Sequence, residues 1–361
     1  MIFRWPGNRG NNVNALTLKV KCRQSQVSRL WNFHARATSI RCSSLTIYCR
    51  LLPPISMSPP RHILKLSLEE QRQFIDSFDL VISDCDGVVW LLVGWIPNTG
   101  PAVNALKAAG KQIKFVSNNS FRSEEGYMEK FRHIGAKNVQ EDDIVHPVKT
   151  IVRYLKKHKP GERVFSLMSL EANETLRKHN IEFESLQVKE HLTAASLVDH
   201  LAIEKPVGAV LFDIHLDLSY VELAKAIRHL QENEDCQLIA GGSDVVMPLA
   251  ENLNVAGFFD FLEHVKRYTQ REATFLGKPS PILGEMFGEM FEIREPKRCI
   301  FIGDTLVQDV QFGKACGFQS LLVLSGCLTK EDMLNAPVAA QPDYYADSLA
   351  DFTQLLKNVQ K

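Results

Sequence analysis

The chain has 361 residues, of which 45% are hydrophobic, and this is typical of a globular protein with two domains of ordinary size. The 42 basic and 42 acidic side chains cancel, so the overall charge favours neither nucleic acid nor an anionic membrane as a partner. No stretch reaches the roughly 18 consecutive apolar residues that a membrane-spanning helix needs. We therefore expect no nucleic acid and no membrane among the partners.

The first part of the chain has a composition of its own. From Met1 to Leu68 there is no Asp or Glu, whereas Arg and Lys are spread among Ser, Thr and Asn. Two interpretations fit residues 1–60: a disordered basic extension upstream of a second start at Met57, or a mitochondrial targeting segment. The eight cysteines form no CxxC pair, which indicates a reducing compartment and no zinc site. We expect a cytoplasmic protein, or a mitochondrial one if the extension is a transit peptide.

In the rest of the chain, apolar runs alternate with segments of helical spacing, a pattern typical of a parallel sheet with helical crossovers. The first part predicts strands at 79–83 and 113–116 and helices at 102–109 and 123–133. The middle predicts strands at 164–166, 208–212 and 237–240 and helices at 169–178 and 220–231. The last part predicts strands at 274–276, 299–302 and 320–324 and a helix near 349–356.

The middle segment interrupts the rhythm of the two outer segments. The simplest arrangement is an α/β fold in which a discontinuous core carries a second, inserted α/β domain. We place the core at 61–121 and 273–361 and the inserted domain at 122–272.

Two aspartates follow the first predicted strand. Asp84 and Asp86 are two positions apart, so in extended chain their side chains leave on the same side, and Gly87 allows a sharp turn behind them. One carboxylate can attack phosphorus while the other handles protons. An ionised carboxylate attacks a phosphate only if cations offset the repulsion between them. The pair therefore indicates phosphoryl chemistry assisted by a cation.

Further polar residues follow other apolar runs. Asp304 comes directly after the predicted strand at 299–302, and Asp309 lies roughly one helical turn beyond it. Converging carboxylates favour a hard cation, and Mg²⁺ fits best because it takes oxygen ligands and bridges to phosphate. Lys278 is a second cationic clamp, and the Ser117 hydroxyl can donate to the same phosphoryl oxygens. Each motif alone is as typical of a turn or helix cap, but their order favours catalysis.

In this order the motifs resemble those of the haloacid dehalogenase superfamily, whose phosphatases carry DxDG, Thr or Ser, Lys and GD-acid motifs. Within it the chain is similar to the 4-nitrophenylphosphatase-like group, which includes phosphoglycolate phosphatase and pyridoxal phosphate phosphatase. The matching segments are Asp84-Cys85-Asp86-Gly87-Val88, Ser117-Asn118-Asn119-Ser120 with Arg122-Ser123, Leu276-Gly277-Lys278-Pro279-Ser280, Phe301-Ile302-Gly303-Asp304 and Leu322-Val323-Leu324-Ser325-Gly326. The resemblance implies a Rossmann-like parallel-sheet core with a large inserted α/β cap of the C2 type.

The same resemblance implies a role for each site residue. Asp84 would be the nucleophile and a Mg²⁺ ligand, Asp86 the general acid and a ligand through its backbone carbonyl, and Asp304 the third ligand. Ser117, Asn118 and Asn119 would hold the phosphoryl group, and Lys278 would neutralise it. Asp309 would orient a water on the metal. Together these roles describe a Mg²⁺-dependent phosphomonoester phosphatase that works through an aspartyl phosphate.

The cap departs from the group's pattern where specificity is set. Relatives have a Thr-Asn pair before the Asp of the substrate loop, whereas this chain has Gly241-Gly242-Ser243-Asp244. Met247 stands where pyridoxal phosphatases have His. Ala256-Gly257-Phe258-Phe259 replaces a Pro-Gly-Thr-Gly turn. The last replacement has two explanations: drift in a buried segment, or an altered substrate pocket or cap interface. We expect a small phosphorylated metabolite, of the phosphoglycolate or 4-nitrophenyl phosphate type, as substrate and a homodimer through the cap. The alternatives are a phosphoserine protein phosphatase, a pyridoxal phosphate phosphatase and a catalytically weakened interaction protein.

Overall fold

The computed structural model describes residues 59–120, 122–188, 191–242, 246–250 and 253–360, with the backbone alone for 246–250 and 253–254. The interpretations of residues 1–58, Ser243-Asp244 and the Met247 side chain therefore fall outside the described part. Within that part, no helix has the length and apolar character needed to cross a membrane.

The described strands form three sheets. In chain order they are β1 Arg61–His62, β2 Leu80–Asp84, β3 Gln112–Val116, β4 Ile144–Val145, β5 Val164–Leu167, β6 Phe183–Glu184, β7 Ala209–Phe212, β8 Gln237–Ala240, β9 Val246–Ala250, β10 Leu253–Ala256, β11 Ala273–Phe275, β12 Cys299–Gly303, β13 Gln319–Val323 and β14 Tyr344–Ala346. The larger sheet has the order β1-β14-β13-β12-β2-β3-β4, and the smaller one β11-β8-β7-β5-β6. All pairs in these two sheets are parallel, whereas β9 and β10 form an antiparallel pair.

Helices connect the parallel strands, as crossovers between parallel strands require. The α-helices span Leu68–Asp76, Thr99–Ala108, Glu124–His133, Pro147–His158, Leu170–Lys178, Ala194–His200, Tyr220–Glu232, Phe259–Thr269, Pro281–Met290, Phe312–Ala315, Lys330–Asn335 and Asp351–Val359. Local sequence fixes several helix starts. Ser67 and Ser219 each form a capping box, with Glu70 and Glu222 respectively, which satisfies backbone donors that the first turn leaves unpaired.

The larger sheet is covered on both faces. β2 is buried along its whole length, and its side chains alternate between two apolar clusters: Val81 packs with Ile113 and Phe352, whereas Leu80 and Ile82 pack on the other side. A strand covered on both faces reads as a continuous apolar run, which is why Leu80–Ile82 contains no polar residue.

The fold class predicted from the sequence is confirmed: the chain is an α/β protein with a Rossmann-like parallel sheet and a second α/β layer in the middle of the chain. The short strands β1, β4, β6 and β14 were absent from the prediction, because runs of two or three residues carry too little periodicity. The division at residues 121 and 272 stays a prediction. β4 pairs with the larger sheet and β11 with the smaller one.

Candidate active site

Three neighbouring strands of the larger sheet end in polar residues. Asp84 is the last residue of β2, Ser117 directly follows β3, and Asp304 directly follows β12. β2 lies between β3 and β12 and runs parallel to both. The carboxyl edge of a parallel sheet is where ligands bind in open α/β proteins. The fold thus brings residues far apart in sequence to one edge.

Lys278 lies at the centre of this edge. Its Nζ is 2.7 Å from Asp84 Oδ1 and 2.7 Å from Asp309 Oδ1, and its side chain is only 2% exposed. Burial lowers the pKa of Lys278, but the two carboxylates, Asp309 first and then Asp84, raise the pKa more, so the net shift is upward. The ammonium therefore stays charged and bridges the two carboxylates.

Three carboxyl groups meet around the lysine. Asp84, Asp304 and Asp309 are all buried, and one oxygen from each lies within 4.8 Å of the others. Burial raises the pKa of Asp84 well above its usual value; Lys278 opposes this, while Asp309 and Asp304 add to it. Burial, and then the neighbouring Asp309, raises the pKa of Asp304 to about 7. Both shifts result from burial first and from the crowding of negative charge second.

The donor set fits a divalent cation. Three carboxylates face one ammonium, so an excess of two negative charges remains when all are ionised. Oxygen ligands without nitrogen or sulfur suit hard divalent cations, Mg²⁺, Ca²⁺ and Mn²⁺ among them. The identity of the cation as Mg²⁺ stays a prediction from the sequence.

A second cluster of possible metal ligands, His62, Asp347 and Asp351, fits a metal less well than the first. Nδ1 of His62 accepts a hydrogen bond from the backbone N–H of Leu64, so in the neutral ring the proton is on Nε2. Nε2 is the atom that faces the two carboxylates, at 3.5 and 3.6 Å. A protonated nitrogen donates to carboxylates and does not ligate a metal.

Asp309 is held by the chain around it. It lies in a π-helix, Leu306–Gln311, wider than the ordinary helical turn that the sequence predicts. Its Oδ2 accepts hydrogen bonds from the backbone N–H groups of Asp304 and Thr305 and from the Thr305 hydroxyl, while Oδ1 faces Lys278. The wide turn directs this carboxylate back to the end of β12.

Two glycines make room for Asp304. A Cβ on Gly87 would lie 2.3 Å from Asp304 Oδ2, and one on Gly326 would lie 2.0 Å from the same atom. Gly87 also has a φ of +91°, which side chains disfavour. The backbone N–H of Cys327 donates to this oxygen at 3.0 Å. The close approach of two loops therefore fixes the carboxylate.

Asp86 lies in different surroundings. Its carboxylate accepts from both terminal nitrogens of Arg122 at 3.4 Å. The Ser117 hydroxyl and the Asn119 amide also donate to it, at 3.4 and 3.5 Å. It is not a member of the three-carboxylate group. The two aspartates of the motif thus have different cationic neighbours, Lys278 for Asp84 and Arg122 for Asp86.

Asn118 has a role that its motif alone did not reveal. Its side-chain amide donates to the carbonyl of Lys278 at 3.0 Å, and its Oδ1 accepts from the N–H of the same residue at 2.9 Å. This pair of bonds fixes the lysine backbone across 160 residues of sequence. The predicted substrate-binding residues are therefore at one site, and Asn118 supports Lys278 within it. Arg122 was part of the quoted motif but was not predicted to act there, since only the fold brings it to Asp86.

Comparison with known proteins decides the family. Residues 81–182 match the model described as haloacid dehalogenase-like hydrolase, and residues 275–352 match a HAD-hydrolase-like model. Glycerol-3-phosphate phosphatase of Gallus gallus is 30% identical over 308 residues, which cover 82% of this chain and 98% of that protein. The chain belongs to the haloacid dehalogenase superfamily. It is a phosphatase of that superfamily, a hydrolase of phosphate monoesters.

Other relatives agree with this assignment. The 4-nitrophenylphosphatase of Schizosaccharomyces pombe is 31% identical over 297 residues, 80% of this chain and 97% of that protein. Among solved structures, a p-nitrophenyl phosphatase from Archaeoglobus fulgidus superposes with a TM-score of 0.66 at 27% identity and covers 77% of this chain and 99% of its own.

Replacing Gly326 by Ala tests the packing of Asp304. The added Cβ would meet Asp304 Oδ2 at 2.0 Å, so the carboxylate must move, and a displacement of about 1 Å in an active site costs on the order of 10²-fold in rate. We expect such a loss of phosphatase activity, measured as kcat/KM. Gly288→Ala is the control, because no atom lies within 4 Å of its added Cβ. Equal activity of the two variants would contradict the packing argument.

Proposed function

We propose that this protein is a Mg²⁺-dependent phosphomonoester phosphatase that hydrolyses small phosphorylated metabolites through a phosphorylated Asp84. The observation that carries the proposal is the buried group of Asp84, Asp304 and Asp309 around Lys278. An isolated buried carboxylate would be neutral, whereas a lysine and a divalent cation would keep Asp84 ionised and lower its repulsion from a phosphate.

In the first step an Asp84 carboxylate oxygen attacks phosphorus as the bond from phosphorus to the leaving oxygen breaks. Asp86 gives its proton to that oxygen, so the products are an alcohol, an acyl phosphate on Asp84 and an ionised Asp86. In the second step Asp86 takes a proton from water as the water oxygen attacks phosphorus. The bond between phosphorus and Asp84 breaks, which releases phosphate and restores both side chains.

The surrounding residues divide the remaining work. Lys278 and the Ser117 hydroxyl neutralise and bind the phosphoryl oxygens, and Asn119 joins them on the side of Asp86. Asn118 holds the Lys278 backbone in place. Proton transfer is left to Asp86, which has no contact with Lys278 among the described interactions.

The metal would be held by the carboxylates of Asp84 and Asp304 and by the backbone carbonyl of Asp86, with Asp309 orienting a water on it. When bound, Mg²⁺ supplies positive charge that offsets the negative charge of the phosphate. The buried excess of carboxylate charge supports this assignment.

The names of the relatives support a small substrate. They include glycerol-3-phosphate phosphatases, phosphoglycolate phosphatases and a 4-nitrophenylphosphatase. We propose that most of residues 122–272, apart from the helix Glu124–His133 and β4, form a cap that closes over the leaving group, and that the protein is cytoplasmic. We also propose a homodimer through the cap; exposed apolar side chains there, such as Leu216 and Tyr220, support this, and light scattering of the purified chain tests it.

Asp84→Asn tests the nucleophile. The amide keeps the shape of the side chain but cannot form the acyl phosphate, so we expect turnover of 4-nitrophenyl phosphate to fall by on the order of 10³-fold or more. Asp79→Asn is the matched control, since Asp79 lies at the opposite end of the same strand, on the surface beside Arg298. Undiminished activity of Asp84→Asn would contradict the proposed mechanism.

Thermal unfolding tests the metal site independently of activity. Mg²⁺ at 100 times its Kd should stabilise the chain by about 2.7 kcal/mol and raise Tm. In Asp304→Asn we expect a higher Tm than the parent in EDTA, because one of the three crowded carboxylates is gone, and little further increase with Mg²⁺. A variant that responds to Mg²⁺ as the parent does would show that the metal binds elsewhere.

A substrate panel tests the substrate class. We expect kcat/KM for glycerol phosphate and phosphoglycolate to exceed the values for pyridoxal phosphate and for a phosphoserine protein at equal concentration. Pocket differences of about 1–3 kcal/mol decide between such metabolites. The kcat/KM values are compared on the full chain. Preference for the phosphoprotein would favour the protein phosphatase alternative.

A further inference from the structure

Arg122 approaches the carboxylate of Asp86 with both arms of its guanidinium. Its two terminal nitrogens donate to different oxygens of Asp86, each at 3.4 Å, and the Arg122 side chain is only 10% exposed. A planar fork that meets both oxygens of a carboxylate fixes the rotation of the carboxyl plane as well as its position. The Ser117 hydroxyl and the Asn119 amide, at 3.4 and 3.5 Å, contact only one of these oxygens.

Aromatic rings hold the guanidinium itself. Its central carbon lies 5.0 Å from the ring centre of Tyr127 and 5.8 Å from that of Trp90, and both rings are fully buried. The Tyr127 hydroxyl donates to the backbone carbonyl of Asn119 at 2.7 Å, which ties this ring to the segment that follows β3. The two ring centres are 6.3 Å apart, so the guanidinium packs against both rings from one side, where it gains cation–π attraction and loses rotamer freedom. Arg122 is therefore a preorganised support and not a mobile surface side chain.

We propose that Arg122 is a positioning residue for Asp86: it orients the carboxyl group that passes a proton to the leaving oxygen. The inference rests on the proposed role of Asp86 as general acid and names the residue that supports that role. Asp86 lies at a glycine turn beyond the end of β2 and is more exposed than Asp84, so the strand alone does not fix its carboxyl plane. Lys278, by contrast, contacts Asp84 through one ammonium and at one carboxylate oxygen.

The leaving group makes this role measurable. An alkoxide is a poor leaving group and needs a proton as the bond to phosphorus breaks, whereas 4-nitrophenolate leaves without one. Loss of orientation at Asp86 should therefore slow hydrolysis of glycerol phosphate much more than hydrolysis of 4-nitrophenyl phosphate. A residue that serves only the fold, or only the phosphoryl group shared by both substrates, would slow both reactions equally.

Arg122→Met is the informative variant, because its unbranched side chain retains packing against Trp90 and Tyr127. We expect kcat/KM for glycerol phosphate to fall by on the order of 10²-fold and for 4-nitrophenyl phosphate by about tenfold less. Arg122→Lys should recover part of the loss, since it keeps the charge without the fork. Lys130→Met is the control: Lys130 lies 5.2 Å from the Trp90 ring but donates to the Leu91 carbonyl, so its loss should leave the ratio of the two substrates as in the parent.

A double-mutant cycle gives the second test. If Arg122 acts through Asp86, adding Arg122→Met to Asp86→Asn should cost little beyond Asp86→Asn alone, measured with 4-nitrophenyl phosphate. Additive losses, or equal losses with both substrates for Arg122→Met, would overturn the proposal. A loss confined to phosphoglycolate would also overturn it and would assign Arg122 to the substrate's carboxylate. Undiminished activity of Asp84→Asn would instead refute the proposed mechanism, and that variant is measured independently of the Arg122 variants.

Discussion

The buried lysine between two carboxylates is the interaction on which the rest of the site depends. Removing an ammonium or a carboxylate from water costs several kcal/mol per ion, and only close, well-directed partners offset that cost. Lys278 meets Asp84 and Asp309 at 2.7 Å each, and the backbone of Lys278 is fixed by Asn118. Because Asp304 adds a third carboxyl group, the lysine alone does not balance the charge. The fold thus maintains an excess of buried negative charge that a divalent cation can offset.

Environment separates the two aspartates of the motif. Asp84 ends a fully buried strand and shares Lys278 with another carboxylate, whereas Asp86 is partly exposed and faces Arg122. In the proposed mechanism these different neighbours accompany different tasks, nucleophilic attack for Asp84 and proton transfer for Asp86. The sharp turn at Gly87, with Asp304 packed against it, produces this separation over only two residues.

The sequence predicted the long strands and the residues at their carboxyl ends, because a buried parallel strand reads as an uninterrupted apolar run. Asp84, Ser117 and Asp304 each follow such a run, so their meeting at one edge followed from parallel pairing alone. The contacts of Asn118 and Arg122 did not follow, because they depend on loop geometry and on partners distant in sequence. The π-helix around Asp309 was also beyond prediction, since one extra residue in a turn leaves no periodic signal.

The geometry of the core constrains where specificity can arise. Lys278, Asp304 and Asp309 are almost fully buried, and Lys278 and Asp304 each contact Asp309, so we expect a change at any of them to disturb the chemistry for every phosphate ester. In the proposed mechanism the leaving group lies on the side of Asp86, where the carboxylate is partly exposed and Arg122 and Asn119 contact it. Selectivity among esters would then arise from that side and from the proposed cap, while the phosphoryl group is treated alike in all of them.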